Sequence, residues 1–152
     1  MALSSTADRS TNLPGGAVPR ERRNRPVSAA QARAYAAKAA EFLTAAEEEL
    51  RADRRIAATS LAIHAGINAA DAVTGTRIGQ RAAGQDHDEV LDLLRQAGPD
   101  GAEVHSQLIR LLPLKTKAEY DPDDIAKAVA DKAVQRARRC VALAKRLAAP
   151  PS

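Results

Sequence analysis

Residues 56–75 read IAATSLAIHAGINAADAVTG, and between Ile56 and Val73 they carry one formal charge, Asp71. On a helix, Ile56, Ile63 and Ile67 fall on one side and Leu61, Ala65 and Ala72 on another. A helix that is apolar nearly all round buries more than one face, so this one is either the centre of a bundle or part of a subunit interface. Ala58, Ala62, Ala65, Gly66, Ala69 and Ala70 let neighbouring backbones approach closely. The reading places the helix from about Asp53 to Gly75. Outward from it, no segment sustains strand alternation and several keep a helical period. The fold class is therefore all-α, an antiparallel up-and-down bundle of four or five helices.

The flanking segments fit that frame. Ser28 with Gln31 three residues later is a capping box, opening a first helix that runs to about Ala52. Its apolar face is Tyr35, Ala39, Phe42, Ala46 and Leu50. After a glycine-containing loop at Thr76–Gln85, Asp86 caps a third helix, with Glu89 set for a second box; Gly98-Pro99 ends it. A fourth helix runs from about Gly101 to Leu112, where Pro113 stops it, and Leu114–Asp121 is a linker. The last helix begins with Asp121 as cap, Pro122 at its first position and Asp123 and Asp124 facing the positive end of the helix dipole.

Composition narrows the function. At 152 residues the chain suits one domain, with 35 Ala, no Trp and only four Phe, Tyr and Met together. An aromatic stacking platform for single-stranded nucleic acid is excluded. One cysteine, Cys140, excludes an internal disulfide framework and a cysteine zinc cluster. No His or carboxylate pair recurs at ligand spacing on a partner helix, so no metal is expected, and no glycine-rich phosphate loop or other cofactor motif is present. Five Arg and two acids in residues 1–27 account for +3 of the net +4. The remainder is nearly neutral, so the basic pI does not mark a nucleic-acid-binding domain. Residues 1–27 are too poor in large apolar side chains to offset their ordering entropy and are expected to be a disordered basic tail; residues 28–149 form the bundle. No signal peptide or convincing membrane span is apparent, and the expected location is cytoplasmic.

Two stretches carry a family likeness: Ala57–Val73, AATSLAIHAGINAADAV, and the more specific Leu111–Asp121, LLPLKTKAEYD. Over about Val27–Leu147 the chain resembles the HEPN domain family of small helical proteins. The resemblance implies a dimer with a composite RNA cleft, and in many members a metal-independent ribonuclease built from an Arg and a His with four to six residues between them. In that chemistry the Arg holds the scissile phosphate and the His moves a proton. Here Lys115 stands in the place of the Arg and Tyr120 in the place of the His. Lys binds phosphate as a point charge rather than a fork, and Tyr, with a reference pKa near about 10, is a poor proton shuttle at neutral pH. The expectation is a non-catalytic, RNA-associated homodimer of toxin–antitoxin or stress-response type, such as those that work with a nucleotidyltransferase antitoxin partner. A weak ribonuclease using Lys115 and Tyr120 is the alternative, and a plain protein–protein adaptor a further one.

Ser60, His64, Asn68 and Asp71 recur at helical spacing as a polar stripe on the apolar helix. Two readings stand: a structural hydrogen-bond network, or the lining of a cleft shared with Lys115 and Tyr120. Arg110 and Lys117 add basic contacts beside that connector. His87 and His105 read as surface positions, and Cys140 as a packed thiol.

Overall fold

The computed structural model describes residues 24–84 and 86–151. These form a short strand β1 (Asn24–Pro26), helices α1 (Ala29–Arg51) and α2 (Arg55–Ile78), a strand β2 (Gln80–Ala82), and helices α3 (His87–Arg95), α4 (Gly98–Leu111), α5 (Leu114–Glu119) and α6 (Lys127–Ala148). The fold is all-α, a helical bundle with a two-stranded clip.

α1 starts where its residues dictate. The Ser28 hydroxyl accepts from the Gln31 amide at 3.1 Å and the Gln31 side chain accepts from the Ser28 amide at 2.9 Å. Two orphan amides of the first turn are thereby satisfied. Ser28→Ala is expected to cost about 1 kcal/mol, read as a shift in the urea midpoint at unchanged slope. A tight turn through Asp53, whose φ is +61°, sends α2 back along α1.

α2 is the centre of the bundle and packs against α1, α6, α4, α5 and α3. By length and composition it could cross a membrane, yet 67% of its apolar window is buried inside the fold. Its alanines are the reason its neighbours come so close: Ala58, Ala62, Ala65, Ala69, Ala70 and Ala72 are fully buried. A Cβ on Gly66 would lie 2.9 Å from a Leu111 methyl and 3.2 Å from one of Leu108, so α4 rests directly on the α2 backbone there. Bulk enters from the outer helices, where Leu94, Val104, Leu108, Leu111 and Val134 are completely buried. The buried Thr59 and Thr74 hydroxyls are satisfied within the helix, donating to the Arg55 and Asp71 carbonyls.

Several boundaries differ from the sequence expectations. Residues 1–23 lie outside the described residues, but Asn24–Val27, expected in the disordered tail, belong to the fold. β1 pairs antiparallel with β2 in the register Asn24↔Ala82, Arg25↔Arg81 and Pro26↔Gln80. Val27 is buried, and its amide donates to the Gly79 carbonyl at 2.8 Å. Gly75 does not end α2. It is flat so that Val27 can sit on it, since a Cβ there would lie 2.6 Å from Val27 Cγ1. The stop is Gly79, in the left-handed conformation at φ +68°. Asp86 caps α3 by accepting from the Asp88 amide at 2.9 Å, rather than through a box with Glu89.

The expected linker Leu114–Asp121 contains a helix, α5, entered directly from Pro113. The last helix does not open at Asp121. Asp124 instead accepts from Arg55 at 2.7 Å and from the Ile125 amide at 2.8 Å. With Ile125 fully buried beside it, the segment stays out of the helix until Ala126.

Candidate functional site

The polar stripe of α2 faces the connector α5 at one point. Lys115, in the first turn of α5, and His64 and Asp71 of α2 line the same cleft. The opposite wall comes from the segment that joins α2 to α3: Arg81 and Ala82 of β2, then Asp86 and His87 at the start of α3. The cleft has a volume of about 340 Å³. Ile67 and Val90 supply its apolar surface.

Two of its polar groups are held by specific partners. The His64 ring stacks on Phe42 of α1, with centroids 5.3 Å apart and planes inclined by 27°. Its Nε2 lies 3.7 Å from a carboxylate oxygen of Glu119 at the end of α5, an ion pair whenever the imidazole is protonated. Arg81 lies over the Tyr35 ring at 5.6 Å and donates to the Ala82 carbonyl at 3.1 Å. The short strand thus fixes a cation at the cleft.

Asp71 is different. Its carboxylate is hydrogen-bonded by no described residue, although the residue is only 8% exposed, and it opens onto the cleft. Burial pushes its carboxyl up from 3.8 to about 7, against the opposing pull of Arg81 and Lys38. Desolvation therefore outweighs two nearby cations.

The other expected site residues go elsewhere. Asn68 is buried and donates to the His64 carbonyl at 2.8 Å, a bond inside its own helix. Ser60 sits about three turns from Asp71, in a separate hollow with Arg55 and Asp124 at the start of α2. The stripe is thus divided: His64 and Asp71 reach the cleft, while Asn68 is consumed structurally. Tyr120 caps α5 and is 74% exposed, outside the cleft lining. Arg110 is exposed on α4, and Lys117 is half-buried on α5; neither lines the cleft.

Sequence reasoning missed Arg81 and His87. Arg81 fell in an expected loop and His87 at an expected surface position, whereas His87 is half-buried on the cleft wall. The available signal was proximity in sequence: α2 ends only three residues before Arg81, so the connection stays near the end of α2 that carries Asp71. His105, also expected at the surface, is half-buried, and its burial lowers its pKa. Cys140 is buried, its thiol pushed up to about 12, which makes it inert. No cluster of three or more potential metal ligands occurs among the described residues.

No protein-family model matches the chain, and no curated protein is significantly similar to it.

Proposed function

We propose that this chain is a HEPN-like helical module that pairs with a second copy and holds single-stranded RNA in the cleft between α2, β2 and α5 without cutting it. The observation that carries this reading is the position of Lys115. It stands where the resemblance places the phosphate-holding Arg, and it lines one cleft with Arg81, His64 and His87. Two cations, Arg81 and Lys115, suit a phosphodiester, while Ile67 and Val90 suit the faces of a base. Tyr120, in the place of the proton-moving His, points to solvent at 74% exposure. Phosphate contact without a proton carrier at that position supports binding rather than cleavage. Toxin–antitoxin or stress-response settings, with a nucleotidyltransferase partner, follow from the resemblance and form part of this proposal.

The test is fluorescence anisotropy with a short labelled U-rich strand. Lys115→Ala and Arg81→Ala are each expected to weaken binding about fivefold and to reduce the salt slope by about one ion. Tyr120→Phe leaves binding unchanged. Absence of binding at low salt, or equal affinity in all variants, overturns the reading.

One observation favours a second reading. His64, oriented by Glu119 and Phe42, shares the cleft with Lys115 and is itself a group able to move a proton. RNA cleavage lost in both His64→Ala and Lys115→Ala would make the protein a metal-independent ribonuclease.

A further inference from the structure

Asp71 is the least expected group in the cleft. Asp71 is only 8% exposed, and a carboxylate on a residue so placed ordinarily has protein hydrogen-bond donors of its own. Here no described residue donates to it, yet it forms part of a cleft wall. The hydroxyls and amides near it on α2 are already committed: Thr74 donates to the Asp71 carbonyl and Asn68 to the His64 carbonyl. The Asp71 carboxylate is therefore open to accept from a group that enters the cleft.

Resting on the reading of this cleft as an RNA site, we infer that Asp71 selects guanine. An ionised carboxylate only accepts, and it accepts best from two N–H groups side by side. Guanine alone among the four bases presents such a pair, its N1–H and its 2-amino group. Adenine and cytosine set one amino donor beside a ring-nitrogen acceptor, and uracil flanks its single N–H with two carbonyls. Each of those would bring an acceptor against a carboxylate oxygen. The rest of the cleft accommodates the remainder of a nucleotide. Ile67, one turn before Asp71, and Val90 of α3 offer apolar contact to the base, and Arg81 and Lys115 take the phosphate. A volume of about 340 Å³ is of the size that small-ligand sites use.

The selection depends on protonation. The charged and titratable groups around Asp71 are His64 on its own helix, Lys38 on α1, Arg81 on β2, Asp86 and His87 at the start of α3, and Lys115 on α5. With its carboxyl pushed up to about 7, Asp71 is mostly ionised at pH 8 and mostly neutral at pH 6. A neutral carboxyl donates as well as accepts, so the guanine preference shrinks in acid and adenine gains.

The experiment compares labelled U-rich strands that carry one central G, inosine or A, or none, at pH 8 and pH 6. At pH 8 the G strand is expected to bind about tenfold more tightly than the A strand. The inosine strand, lacking the 2-amino group, falls between them. The G advantage shrinks at pH 6. Asp71→Asn, with helicity checked by circular dichroism, removes the G preference, so that the ratio of G-strand to A-strand affinity falls to about one. The base series on the wild-type protein stands as a test even if the variant fails to fold. U-only, G and A strands bound alike at pH 8 overturn the role of Asp71 and leave the RNA cleft standing. No strand bound at all overturns the cleft reading itself.

Discussion

At pH 8, Asp71→Asn melts well above the wild-type protein, and at pH 4 the two melt together. In the unfolded chain this carboxyl titrates near its ordinary value, 3.8, whereas in the fold burial raises it to about 7. Between those values the folded state keeps a proton that the unfolded state has released. Stability therefore falls as pH rises through that window, and the full cost is present above about pH 7. The gap corresponds to a cost on the order of 4 kcal/mol. Asparagine has the same shape and no charge to desolvate, so it recovers most of that cost at pH 8 and almost none at pH 4. For a domain of this size the difference is on the order of 10 °C in melting temperature. Scanning calorimetry of both proteins across the pH range reads it directly, because every other titrating group is common to the two. Equal melting temperatures at pH 8 would show that Asp71 is not desolvated in the fold. A residue that weakens its own fold at working pH, and that can be relieved by a change of one atom, is the pattern expected where a site trades stability for binding.

Gly101→Ala is expected to destabilise the protein by about 3 kcal/mol or more. In an ordinary helix interior the same change gains up to about 1 kcal/mol, because glycine is the poorer helix former. Here the sign reverses. Gly101 is buried in the first turn of α4, and a Cβ on it would overlap the carbonyl oxygen of Leu94 and lie 2.6 Å from Ala97 Cβ. The first obstacle is backbone, so no rotamer change relieves it, and α3 and α4 must part. Gly98 is the control. A Cβ there has nothing within 4 Å, and its φ of +75° sets the only penalty. Gly98→Ala should therefore cost about 1–2 kcal/mol. Urea midpoints for the two variants, compared at equal slopes, check the order; a smaller loss at Gly101 than at Gly98 would contradict this account of the α3–α4 corner.

What the sequence revealed of this fold follows from how local each signal is. The capping box of Ser28 and Gln31 is complete within four residues, and α1 starts there. The charge-poor run of α2 is long enough that its burial could be read without knowing its neighbours. The β1–β2 pairing joins Asn24 to Ala82, and three residues per strand are too few for any alternation to register. Gly75 and Gly79 look alike in sequence. Only the packing of Val27 assigns one to close approach and the other to the helix stop. The acids at 121–124 resemble a helix start, but Asp124 is drawn to Arg55, which lies 69 residues away in sequence. The site follows the same rule. His64 and Asp71 were visible as polar interruptions of an apolar helix, and Lys115 by its motif. Arg81 and His87 were not, because the fold-back after Gly79 is what brings them to the cleft.

The alanine-lined interior has a consequence for how this protein tolerates change. Where methyl groups set the distance between helix axes, there is little bulk left to delete and almost no slack to take more. Mutational risk is therefore lopsided, with enlargement inside α2 far more harmful than truncation. Sequence drift in such a chain is steered away from its methyl-packed middle and towards its exposed rim.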